Sequence, residues 1–127
     1  MTAPHLQYGA ESEELVENFL RRKGWKILDR NFRCKGGELD IVAAKDDVLA
    51  MVEVKSRSET APDHFQPDVT IDPKKIRKLT IAARTWLAIH ADEIDGLYPR
   101  FDVITVIGRG AAAQLEHLED AFEASGG

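Results

Sequence analysis

Glu38, Asp40, Glu53 and Lys55 are the residue types that metal-assisted phosphodiester hydrolysis uses. A hard divalent ion such as Mg²⁺ takes one or two carboxylates and keeps several waters for a phosphate to displace. An ammonium group beside the ion can orient or help deprotonate an attacking water, or neutralise charge on a phosphoryl oxygen. Spacing decides whether the four can meet. Glu38 and Asp40 are two residues apart in a strand-like run, 38–43, and Glu53 and Lys55 are two apart in the next, 48–55.

Centring a tight turn on Asp46-Asp47 sets Lys45 opposite Val48 and Ala43 opposite Ala50. The same register sets Asp40 opposite Glu53 and Glu38 opposite Lys55. Strand side chains alternate, so these four would share one face, with Leu39, Ile41, Val52 and Val54 on the other. A loop with an odd residue count would break the pairing, and Asp-Asp is a weaker turn signal than Asn-Gly. Two ionised carboxylates ~5 Å apart at an effective dielectric of ~20 repel by roughly 3 kcal/mol. Exposure to water, protonation of one acid, or a cation between them would relieve this. Charged residues also line the open faces of antiparallel sheets with no chemistry attached, so the pattern by itself admits a solvated hairpin.

The elements around this hairpin are legible. Leu15, Val16, Phe19 and Leu20 mark a helix from Glu11 to Lys23, with Ser12 as its start signal and Gly24 as its left-handed stop. A first strand covers 25–33, with Gly36-Gly37 as the turn into the second. Residues 56–72, with Pro62 and Pro67, read as a loop. Asp72 caps a second helix whose first turn holds Pro73 and whose apolar stripe is Ile76, Leu79, Ala83, Trp86 and Leu87. A fourth strand spans 100–107, and 111–122 is open between strand and helix. The order is α-β-β-β-α-β in a single domain spanning 1–127, with 1–8 and 123–127 expected to be flexible.

Composition narrows the class. The 127 residues are 43% apolar and 31% charged, an ordinary globular balance. No apolar run is long enough for a membrane span, and acids stand where a secretory signal would carry bases. The one cysteine, Cys34, leaves no internal disulfide and no CxxC site, so the expectation is a reduced, cytoplasmic protein without a membrane partner. The net charge of −5 hides segregation. Seven basic residues against one acid lie in 21–37, and five against one in 72–84, while acids gather in 11–17 and 116–123. A basic surface on an acidic protein can still steer a polyanion, although solvated helix faces give the same pattern.

Gly37-Glu38-Leu39-Asp40-Ile41-Val42, followed by Val52-Glu53-Val54-Lys55-Ser56-Arg57, resembles the "GEIDLI…VFVEVKTR" core of the YraN-like family of uncharacterised bacterial proteins. That family is assigned to the PD-(D/E)XK, or restriction-endonuclease-like, nuclease superfamily. Residues 9–20, 24–31, 75–87, 100–104 and 116–122 are similar to its other motifs in order. Leu39, Met51 and Trp86 replace its usual isoleucine, phenylalanine and tyrosine. The resemblance implies a mixed sheet flanked by helices, with Asp40 and Glu53 as ligands of Mg²⁺ or Mn²⁺ and Lys55 as the catalytic lysine. It also implies Glu13 as the helix carboxylate completing the metal site, as in archaeal Holliday-junction resolvases. The implied activity is cleavage of DNA, with branched or structured DNA as a candidate substrate, and the superfamily's habit of dimerising makes a homodimer conceivable. The rival is a nucleic-acid-binding or protein-interaction module that keeps the fold without cleaving.

Other residues are weighed on their own chemistry. Glu13 also fits an ordinary first-turn acid complementing the helix dipole. Glu38 reads as a partner of Lys55 or a supporting group rather than a ligand. Lys35 and Arg57 flank the hairpin ends, and Lys74 and Lys75 begin the second helix; these four are the candidate phosphate contacts. His5, His64, His90 and His117 have no metal-ligand spacing, though His64 follows the Glu53–Lys55 strand most closely. Trp25 and Trp86 read as core. Asp102 is either a buried hydrogen-bonding acid or an exposed one.

Overall fold

The computed structural model describes residues 4–58 and 71–126, and for residues 4–9 the backbone. Helix α1 (Pro4–Arg22) leads into strands β1 (Lys26–Cys34), β2 (Gly37–Lys45) and β3 (Val48–Arg57). Helix α2 (Pro73–Ile89) follows, then β4 (Tyr98–Ile107) and β5 (Gln114–Phe122). The sheet order is β1-β2-β3-β4-β5, with β3 and β4 parallel and every other neighbouring pair antiparallel. The expected α/β architecture, a mixed sheet between helices, is what forms. Pro62, Pro67 and His64 lie outside the described residues, as does the His5 side chain.

Each face of the sheet carries one helix. Val16 and Leu20 of α1 pack with Trp25, Ile41, Ala43, Ala50, Val52, Ile104 and Val106. Leu79, Ala82, Ala83 and Trp86 of α2 pack with Leu39, Val42, Leu49, Met51 and Phe101 on the opposite face. β2 and β3 are central and feed both cores, so they are apolar on both sides. Both tryptophans are core residues, as their positions in the apolar stripes imply. The Trp86 indole N–H is also satisfied, donating to Asp29 Oδ2 at 2.9 Å.

Local signals explain most boundaries. Gly24 ends α1 with φ +94°, the conformation a helix stop requires. The Asp72 carboxylate accepts the Lys74 N–H at 2.9 Å and Pro73 opens α2. The β2–β3 hairpin turns at Asp46, and Lys45 faces Val48 as the Asp-Asp centring requires.

Three expectations change and one open point is decided. α1 begins at Pro4 rather than near Glu11, so Ser12 is not a cap but a buried residue within the helix, its hydroxyl bonded to Ser56. Ser56 and Arg57, read as loop, extend β3 beside the parallel partner strand β4. Residues 114–122 form a strand antiparallel to β4, since they close the open edge of that strand's hydrogen bonding. The tail after β5 is tied down: Ser125 N–H donates to Thr80 Oγ1 at 2.9 Å.

Asp102 is fully buried in β4. Arg100 donates to it at 2.8 and 3.1 Å, His117 Nε2 lies 2.8 Å away, and the Asp120 N–H donates at 3.0 Å. Burial alone would raise its pKa, but the hydrogen bonds from His117, Arg100 and Asp120 hold it below the ordinary carboxylate value. This network ties β4 to β5 and is structural.

Candidate active site

The β2–β3 ladder runs from Lys45–Val48 to Ile41–Val52. Beyond that pair a side chain takes over from the backbone: the Val54 N–H donates to Asp40 Oδ2 at 2.8 Å. Among the described residues, Asp40–Glu53 and Glu38–Lys55 are therefore not ladder pairs, as a regular hairpin would have made them. On the other side, β1 pairs Arg30 with Ile41 and Phe32 with Leu39, stepping over Asn31 and Asp40. Asn31 has φ +50°, a left-handed conformation asparagine tolerates better than most residues. The irregularity shifts the alternation. Ile41, Val52 and Val54 share a face as expected, the one packed toward α1, but Leu39 joins Val42 on the α2 side.

Freed from regular pairing, the two acids meet. The Asp40 and Glu53 carboxyl groups lie within hydrogen-bonding reach of each other. Burial, then the Asp40 charge, pushes Glu53 up to about 7, so near neutral pH it keeps its proton part of the time. Asp40 is also raised by burial, with the Val54 N–H and the Lys75 charge pulling the other way. Lys75, from the first turn of α2, places Nζ 3.6 Å from Glu53 Oε1. Lys55 is exposed on β3, and its charge also favours ionised Glu53.

Glu13 approaches from α1. Its pKa is raised by partial burial and then by the Asp40 charge, which places it in the same electrostatic neighbourhood. With its amide nitrogen turned toward α1, Asn31 donates to both Glu13 carboxylate oxygens, at 3.1 and 3.2 Å. Ser56 Oγ donates to Ser12 Oγ at 2.6 Å and joins α1 to the residue following Lys55. Asn31, Ser12 and Ser56 are site-building residues that the sequence reading missed. The one local signal was asparagine, a residue tolerant of positive φ, inside an otherwise strand-like run.

The remaining candidates are spread around this centre. Glu38 forms its ion pair with Arg33 of β1, Nε to Oε2 3.4 Å. Lys35 stands exposed in the β1–β2 turn, and Lys74 is exposed at the start of α2. Arg57 ends β3, its carbonyl accepting the Gly108 N–H at 3.0 Å. Much of the basic run at 21–37 is engaged within the protein: Arg21 and Arg30 flank buried Glu17 at 2.7 and 3.0 Å.

The donor set suits a divalent ion of the Mg²⁺ kind. Two partly buried carboxyls, both raised in pKa by desolvation and, for Glu53, next by the Asp40 charge, gain from a cation between them. Among the described residues no group of three or more His, Cys, Asp and Glu side chains is arranged to hold an ion. The fit is thus to a two-carboxylate site completed by water rather than to an all-protein cage. Glu13 borders the pair with its oxygens turned to Asn31.

Comparison with known proteins places the chain. The family described as "Uncharacterised protein family UPF0102" matches residues 12–106. A UPF0102 protein of Syntrophotalea carbinolica is 43% identical over 126 residues, covering 99% of both chains. One of Myxococcus xanthus is 39% identical over 122 residues, covering 96% of this chain and 94% of its own. One of Geobacter metallireducens is 40% identical over 123 residues, covering 97% and 98%.

Proposed function

This chain belongs to the uncharacterised protein family UPF0102, and on that footing we propose that it is a Mg²⁺- or Mn²⁺-dependent endonuclease hydrolysing phosphodiester bonds of DNA. The reading rests on one observation: Asp40 and Glu53 come together, desolvated, where β2 and β3 cease to pair, with Lys55 and Lys75 beside them. A purely structural sheet gains nothing from two partly buried acids side by side, whereas a site for a cation and a phosphate needs them.

A divalent ion bound there would supply positive charge against the phosphoryl oxygens. Asp40 and Glu53 would hold it, and the Val54 N–H keeps the Asp40 carboxylate fixed. Lys55 orients the attacking water or steadies a phosphoryl oxygen. The water oxygen forms the new P–O bond as the bond to the leaving alkoxide breaks; the water gives up one proton to solvent, and the alkoxide takes one proton back from solvent. Glu13, clamped by Asn31, faces the pair from α1 and orients water around it.

A second reading is a nucleic-acid-binding or protein-interaction module that does not cut, favoured by Lys75 occupying Glu53 at 3.6 Å in place of an ion. Incubation with branched, single-stranded and duplex DNA, with Mg²⁺ and with Mn²⁺, separates the two on a denaturing gel. The enzyme cuts at least one substrate, and Asp40→Asn and Lys55→Ala abolish cutting. The module cuts none with either metal, and its binding persists unchanged in both variants.

A further inference from the structure

A cavity of about 430 Å³ lies between the β1–β2 turn and the start of α2, lined among others by Arg33, Gly36, Gly37, Glu38, Lys75 and Lys78. We infer that it receives a backbone phosphate of the bound strand, next to the one positioned at Asp40 and Glu53, an inference that rests on the nuclease reading above. Three cations face one carboxylate there, a local positive excess on a chain whose net charge is −5.

The cavity is built by close approach. A Cβ on Gly37 would collide with the Lys78 carbonyl, and one on Gly36 would press on the Ile81 side chain at 3.3 Å. Only a glycine pair lets the turn seat this closely on α2, which sets Arg33 across from Lys75 and Lys78. The cavity adjoins the carboxyl pair through Lys75, which lines it and reaches Glu53 at 3.6 Å. A strand crossing from one to the other would meet a cation at each phosphate.

The one acid in the cavity does not block such a ligand. Glu38 is paired with Arg33 across 3.4 Å, and both side chains are more than half exposed. Exposed pairs of this kind contribute little, so Arg33 can exchange Glu38 for a phosphodiester at small cost. Glu116, Glu119 and Asp120 belong to β5, at the sheet edge opposite β1, away from this cavity.

The test is binding of a fluorescein-labelled single-stranded oligonucleotide, read by anisotropy in EDTA over a range of salt. The double variant Arg33→Ala/Lys78→Ala is expected to bind about tenfold more weakly, with a log–log salt slope smaller by about one to two. Arg22→Ala, an exposed cation at the far end of α1, should leave both unchanged. If the wild type binds and the double variant binds as well, the cavity is not a phosphate site, while the nuclease reading stands. If the wild type shows no salt-dependent binding, the nuclease reading itself falls and takes this inference with it. Inorganic phosphate at matched ionic strength should displace little oligonucleotide; full displacement would mark a free-phosphate site and overturn the inference.

Discussion

The Asp40 carboxylate accepts the Val54 N–H at 2.8 Å, and this bond joins β2 to β3 just past their last ladder pair, Ile41 with Val52. A side chain doing the backbone's work lets the strands part without leaving Val54 unsatisfied. It also fixes one carboxylate oxygen and leaves the other available beside Glu53. The site therefore exists because the sheet stops being regular at this point.

Strain between the acids should be visible in stability. Burial and the Asp40 charge raise Glu53 to about 7, so above that pH Glu53 ionises at a cost to the folded state relative to the unfolded chain. Glu53→Gln keeps the shape and removes the charge, while Lys75, nearly half exposed, turns to water. The metal-free variant should be more stable than wild type by about 1–3 kcal/mol at about pH 8, as read by urea unfolding. A less stable variant would mean the pair is not strained.

The same shift sets a pH dependence. Between the ordinary glutamate value of 4.5 and about 7 the folded protein holds a proton that the unfolded chain has released. Stability of the metal-free protein should therefore fall as pH rises through that window. Asp102 works in the opposite sense, since its lowered pKa contributes stability above 3.8 that is lost on further acidification. Thermal melts across pH, with and without Mg²⁺, check this: the metal should flatten the decline between about pH 5 and about pH 7.

Lys75 pairs with Glu53 at 3.6 Å, where a divalent ion would compete with it. Lys75→Met should raise Mn²⁺ affinity several-fold in calorimetry, because the ion no longer displaces an ammonium group. Weaker Mn²⁺ binding in this variant would show that Lys75 builds the metal site instead of opposing it.

Asn31 has two separable roles. Asn31→Gly keeps the left-handed backbone and removes only the amide from Glu13, so stability should change by less than about 1 kcal/mol while cleavage slows. Asn31→Ala also strains the backbone and should lose about 1–2 kcal/mol more. Equal cleavage rates in wild type and Asn31→Gly would remove Glu13 from the chemistry.

Much of this arrangement was legible in the sequence because it rests on short-range rules. Asp72-Pro73 starts α2, Gly24 stops α1, and Asp46-Asp47 with period-two apolar residues sets the β2–β3 register. The departure of Asp40 from the ladder was not legible, because it depends on a left-handed residue in β1 as well as on β2 itself. Ser12 looked like a cap since Ser followed by acids signals a helix start; its partner, Ser56, is distant in the chain. Lys75 was read as a phosphate contact, and only the packing of α2 on the sheet makes it the counter-ion of Glu53. Asp102, open between buried and exposed, is settled by contacts from β4 and β5 together.

The central claim is that Asp40 and Glu53 jointly hold one divalent ion. Mn²⁺ titration of the wild type, Asp40→Asn and Glu53→Gln by calorimetry or electron paramagnetic resonance tests it without any substrate. The expected result is one Mn²⁺ per wild-type chain, with affinity at least tenfold weaker in each folded variant. Equal Mn²⁺ binding by all three proteins, or none by the wild type, would contradict it.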